Sequence, residues 1–164
     1  MVIGLTASDR ELIVFGKDYG GYDANTLIYR YDGVSWRECS FSKPNPGRVP
    51  RYAWDKSQLY LVGADLFLYR LNGDEWIVVS QLPLEVVSRV GESKDMQRFN
   101  LTSYRGQIYF IFSNQIYSYT KNWKKEVEYK LPYITELAEV RRDKLIIAGT
   151  GCCNPGYFLT FDGS

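Results

Sequence analysis

The amino-acid sequence predicts an all-β domain, and three observations carry that prediction. Aromatic residues make up 16% of the 164 positions, with 14 Tyr, 8 Phe and 4 Trp. Flat rings of this kind pack well against pleated neighbours. Apolar runs are strand-sized and bounded by tight-turn dipeptides, Asp32-Gly33, Asn72-Gly73 and Asp162-Gly163. The same succession of short strands recurs along most of the chain, so the fold is built from repeated units.

Each unit opens with an alternating strand: VIGLTAS, RYAW, FNLTSY, then TELAEV. A short polar turn follows (SDRE, DKSQ, RGQ, RRDK) and leads to a more apolar strand: LIVFG, LYLVG, IYFIF, LIIAG. A third strand comes next: TLIYRYDG, LFLYRLNG, QIYSYTKN, YFLTFDG. In three units a fourth strand then starts on tryptophan, with Trp36, Trp76 and Trp123 lying 40 and 47 residues apart. Cys39 falls within the first of these Trp-led strands, SWRECSF. Four antiparallel strands per unit at this period predict a β-propeller of about four blades. Its blades span 1–46, 47–97, 98–133 and 134–164 of a single domain. The last blade is incomplete or is closed by the N-terminal segment, because Ser164 stands where its Trp-led strand should begin.

The runs LIVFG-(loop)-LIYRYDGVSW and LYLVG-(loop)-LFLYRLNGDEW resemble the repeats of kelch-type β-propellers. The double glycine of that repeat is absent: Gly16, Gly63 and Gly149 stand singly there, and Phe112 in the third unit. The resemblance implies that most Trp and Tyr residues pack between blades. It implies no copper chemistry, since the chain has no histidine.

The lack of histidine also removes Ser-His-Asp and Cys-His catalysis and His-ligated zinc. No spacing identifies a carboxylate pair, so the chain is expected to be non-enzymatic, with no cofactor and no metal. A net charge of +1 argues against nucleic acid and anionic membrane as partners. No apolar run is long enough to span a membrane, and MVIGLTASDRE lacks the features of a signal peptide, so the expected location is cytoplasmic.

Candidate binding residues concentrate in the long irregular segments, which in propellers share one face. KDYGGYDAN offers Asp18, Tyr19, Tyr22, Asp23 and Asn25, a combination suited to a peptide or a sugar. Its ligand spacing is poor for calcium. The connector SKPNPGRVPR contributes Arg48 and Arg51. A longer connector, residues 81–98, contains LEVVSRV, which reads as a short helix or an extra strand. GTGCCNPG is expected to be the second-to-third-strand loop of the fourth unit, presenting Cys152, Cys153 and Asn154. The cysteine pair reads as free thiols or as a vicinal disulfide. KNWKKEVEYK reads as a solvated edge strand whose charges discourage aggregation. The expected function is a binding module for a protein or peptide. Carbohydrate binding and self-association through an open blade edge are the alternatives.

Overall fold

The computed structural model describes residues 2–8, 10–17, 26–42, 51–93, 99–129, 137–141, 144–151 and 154–162. It is all-β apart from one helix, with antiparallel meanders as its main sheets. The chain divides into two compact units, residues 1–50 with 57–81 and residues 51–56 with 82–164.

In the first unit, β1 (Val2–Ala7), β2 (Leu12–Lys17), β3 (Thr26–Tyr31) and β4 (Trp36–Glu38) form a sheet in sequence order. Gly33, at φ +96°, makes the turn into β4. Such a backbone is costly for a residue with a Cβ. Asp32 locks the same turn, its Oδ1 accepting from Val34 N and Ser35 N, each at 2.9 Å.

SWRECSF does not form one strand. Trp36–Glu38 pairs with β3, and the chain then crosses to a second sheet as β5 (Ser40–Phe41). There β5 runs parallel to β9 (Glu75–Gln81). Cys39 therefore sits between two strands rather than within one, and it is buried. Its N–H donates to Ile28 O at 2.7 Å, while Ser40 N donates to Asp74 O at 2.9 Å. Each sheet thus holds one side of the crossing. Beside β9 lie β8 (Phe67–Asn72) and then β7 (Gln58–Val62).

The second unit holds β6 (Arg51–Asp55), the helix α1 (Leu84–Ser93) and two further sheets. LEVVSRV is helical. Pro83 ends the preceding extended chain, and its carbonyl accepts from Val86 N and Val87 N. Glu85 lies in the first turn, where the helix dipole favours a carboxylate. Val86 and Val90, one turn apart, are buried.

The third sheet runs β10 (Phe99–Tyr104), β11 (Gln107–Phe112), β12 (Gln115–Tyr119), β13 (Trp123–Glu128). Its outer strand is charged as expected: Lys125 pairs with Glu128 at 2.7 Å and Lys124 with Glu126 at 2.8 Å. The fourth sheet runs β14 (Leu137–Arg141), β15 (Lys144–Gly151), β16 (Asn154–Phe161). The long loop expected at GTGCCNPG is not found. Strand pairing continues to Gly151 opposite Asn154, with a bulge after Gly149, so only residues 152 and 153 separate the strands. Two opposing glycine-flanked strand ends can approach closely here, which lets the ladder run further than the composition suggested.

The opening strands of successive sheets are neighbours within this unit. β6 contacts β10, and β10 contacts β14. Ser103 Oγ donates to Trp54 O across the first of these pairs.

Candidate functional site

Strand register sorts each sheet into two rows of side chains, because successive residues point to opposite faces. In the first sheet Leu5 lies opposite Val14, Val14 opposite Tyr29, and Tyr31 opposite Leu12 and Trp36. Leu5, Ala7, Leu12, Val14, Tyr29, Tyr31, Trp36 and Glu38 thus form one row, the leading face. The other row, the trailing face, contains Ile13, Phe15, Ile28 and Arg30 by the same register.

The two faces differ in their surroundings. Ile13, Phe15 and Ile28 on the trailing face are fully buried. Arg30 extends that row toward the second sheet of the unit, its Nη1 donating to Gly73 O and to Asp74 Oδ1, each at 3.1 Å. Its Nε donates to Glu11. On the leading face, Leu5 is 58% and Trp36 52% exposed, Ala7 and Glu38 are exposed too, and Leu12, Val14, Tyr29 and Tyr31 are half-buried.

Counterparts of this row in the second sheet are Leu59, Leu61, Tyr69, Leu71 and Trp76, all buried. Phe41, carried across on β5, packs its ring against Tyr69 at 5.7 Å and against Trp76 at 6.2 Å. In the fourth sheet the counterparts Leu145, Ile147 and Phe161 are also buried. They form one cluster with the trailing row of the third sheet, Tyr109, Ile111 and Ile116. Sheet stacking in this chain therefore sets a trailing row against a leading row. Apart from Glu38 at the end of β4, the leading face of the first sheet has the composition of an interior surface and the exposure of an outer one.

Local bonds hold the aromatic end of this face. Tyr31 and Trp36 are cross-strand partners with ring centroids 5.0 Å apart. Tyr119 and Trp123 repeat that arrangement at 4.9 Å. The Tyr31 hydroxyl donates to Gly33 O at 2.9 Å, which ties the ring to the turn. Arg37, on the opposite face of β4, reaches Asp32 Oδ2 at 3.0 Å and Asp74 Oδ2 at 3.4 Å. The Ser35 and Val34 amides and the Arg37 charge hold the Asp32 carboxyl below the usual carboxylate range. The turn is thus fixed in place before any ligand arrives. The face itself offers apolar area and aromatic rings, chemistry suited to docking rather than to proton or group transfer.

The residues expected to bind do not define this site. Asp18, Tyr19, Tyr22, Asp23, Asn25, Arg48, Cys152 and Cys153 lie outside the described residues. Arg51 opens β6 and donates from Nε to Phe99 O at 3.0 Å, a structural bond within the second unit. Asn154 opens β16 instead of a loop. Among the described residues no three His, Cys, Asp or Glu side chains gather as ion ligands, and no helix is long and apolar enough to cross a membrane. The repeat pattern marks Tyr31 and Trp36 only as packing residues. No local signal singles them out, since Leu71 and Trp76 hold the same places in the next repeat and are buried.

No protein-family profile and no curated protein sequence matches the chain. Solved structures do resemble it in fold. The computationally designed Ika8 protein matches 90% of this chain with TM-score 0.56 and 11% identity, over 42% of its own length. The extracellular domain of the putative one component system BT4673 from B. thetaiotaomicron matches 98% with TM-score 0.55 and 16% identity. A second structure of that extracellular domain, described as a putative hybrid two component system, matches 96% with TM-score 0.53 and 15% identity. This chain spans 21% and 20% of those two. At such identities the likeness is one of fold alone.

Proposed function

We propose that this chain is a β-propeller scaffold of kelch-like blades that acts as a non-enzymatic binding module for a protein partner. Three features support the architecture: the sequential four-strand meanders, the succession β6–β10–β14 of neighbouring first strands, and the stacking of trailing rows on leading rows. One observation carries the function. Trp36 and Leu5 stand exposed on a largely apolar, aromatic row, although the same row is buried in the second and fourth sheets. Exposed aromatic side chains held by their own hydrogen bonds are typical anchors of protein interfaces.

Selection of displayed protein fragments on the intact chain tests this reading, with each binder re-measured against Trp36→Ala and Tyr31→Ala. Loss of affinity by about tenfold or more is expected at such anchors. Binders indifferent to both substitutions, or ligands found only on a glycan array, would overturn it.

A further inference from the structure

We infer that the aromatic end of the first sheet's leading face takes a segment of a protein partner through an arginine of that segment, seated over Trp36 and paired with Glu38. This rests on the protein-docking reading above and names the chemistry of the partner.

The register gathers the site. Trp36 lies opposite Tyr31 and Glu38 opposite Tyr29, so two cross-strand pairs stand side by side on one face. Among the residues that the register puts on this row, Glu38 alone carries a formal charge. Glu38 is exposed, and neither its carboxylate nor the Tyr29 hydroxyl has a hydrogen-bond or ion-pair partner among the described residues. The neighbouring cation is already engaged, since Arg37 lies on the opposite face and pairs with Asp32 and Asp74.

The third sheet shows what such a corner accepts. Tyr117, Tyr119 and Trp123 repeat Tyr29, Tyr31 and Trp36, and Lys125 stands opposite Tyr117 as Glu38 stands opposite Tyr29. There the charge is answered from outside the sheet. Glu85 of α1 lies 3.6 Å from Lys125 Nζ, and it accepts from the Tyr117 hydroxyl at 2.7 Å. The helix thus brings a side chain of opposite charge that also bonds the tyrosine. The first sheet has the same three rings and the opposite sign of charge. Its complement is therefore a cation that can donate to the Glu38 carboxylate and the Tyr29 hydroxyl oxygen.

Arginine meets this need better than lysine. Its guanidinium stacks flat on an indole and offers a carboxylate a fork of donors. Trp36 and Glu38 are about 7 Å apart along β4, a span that one arginine side chain covers. The Tyr31 ring, 5.0 Å away, holds the indole in place. This chain makes the same ring contact itself, with Arg105 lying 5.0 Å from the centroid of the Tyr104 ring. An acidic side chain would face both the carboxylate and the negative ring faces, and each disfavours it.

A random heptapeptide library, displayed on phage and selected on the intact chain, tests the inference. Peptides whose binding requires Trp36 are synthesised with arginine and with citrulline, its uncharged analogue. Their affinities are then measured for the wild type and for Glu38→Gln. The peptides are expected to contain arginine, with affinity lowered about tenfold by citrulline. Glu38→Gln should weaken the arginine peptide about three- to tenfold, with unchanged far-UV circular dichroism. The citrulline peptide should not distinguish Glu38→Gln from the wild type, because the pairing it reports is already gone.

Trp36-dependent peptides that lack arginine, citrulline peptides that bind as tightly, or affinity unchanged by Glu38→Gln would each overturn the inference and leave the docking reading standing. So would self-association of the chain that Trp36→Ala abolishes and Glu38→Gln does not. If no selected peptide depends on Trp36, the docking reading fails with it.

Discussion

Trp36 and Trp76 occupy the same place in consecutive repeats, yet Trp36 is 52% exposed and Trp76 fully buried. Each lies opposite a residue near the end of its third strand, Tyr31 in one case and Leu71 in the other. The difference lies in what covers them. Phe41 stacks on Trp76 at an interplanar angle of 20°. The indole N–H of Trp76 is buried without a partner among the described residues. An unsatisfied donor of this kind costs about 1–3 kcal/mol, which the surrounding apolar contact must exceed.

The pair should respond unequally to truncation. Trp76→Ala should cost about 3–5 kcal/mol of stability, the range for a large core aromatic. Trp36→Ala should cost about 1 kcal/mol or less, the range for exposed positions. Urea unfolding of the two variants checks this, and similar losses would contradict the assigned faces.

Arg30 joins Glu11 to Asp74 and also donates to the Gly73 carbonyl. Replacing it by Ala removes three charge-assisted bonds and leaves the largely buried Glu11 carboxylate without this partner. A loss of about 1–3 kcal/mol is expected. Arg30→Lys should recover little of it, because an ammonium cannot reproduce the guanidinium fork. Denaturation midpoints of the two variants at low and high salt provide the check.

Cys39 lies at the crossing between sheets, and burial pushes its thiol up to about 12. Asp74 adds to the shift, and Arg30 acts against it. Since the thiolate is the nucleophile, Cys39 in the folded protein should react with a disulfide reagent far more slowly than in denaturant. The linkage has a defined sign. A thiol whose pKa is raised by folding contributes stability below the unfolded value, and that contribution is lost as pH rises through the folded value. Cys39→Ala should therefore flatten the fall in stability on the alkaline side, from about pH 9 toward 12. Thiol titration and melts across that range would show it.

Tyr117 ties α1 to the third sheet. Its hydroxyl lies 2.7 Å from Glu85 Oε1 on the helix and 2.7 Å from Gln115 Oε1 on its own strand. Burial first, and then the Glu85 carboxylate, push its ionisation above the ordinary tyrosine range. Tyr117→Phe keeps the ring and removes this tether. Amide exchange over Val86–Val90 should accelerate, with a stability loss of about 1–2 kcal/mol. Unchanged exchange there would show that Val86 and Val90 packing alone holds the helix.

Much of the fold was legible because its signals are local. The positive φ of Gly33 and Gly73 was marked by Asp-Gly and Asn-Gly pairs, and the Trp-bearing fourth strands by their spacing. The helix was half legible: Val86 and Val90 suit one helical face, but so short a run also fits a strand. The crossing at Cys39 was hidden, because the shift of parity between Trp36 and Cys39 in SWRECSF also fits a bulge within a single strand. What breaks it is the competing ladder offered by β9. The extension of β15 and β16 to residues 152 and 153 was hidden too, since Gly and Pro read locally as loop.

By itself the sequence determined which residues are apolar, how they alternate and how often the pattern repeats, and these settle strands, turns and the two rows of each sheet. Tertiary structure alone decided which of these rows is covered. Tyr31 and Trp36 have the same kind of local sequence as Leu71 and Trp76, and they differ in exposure because burial belongs to the neighbouring surface, not to the strand that presents the side chain.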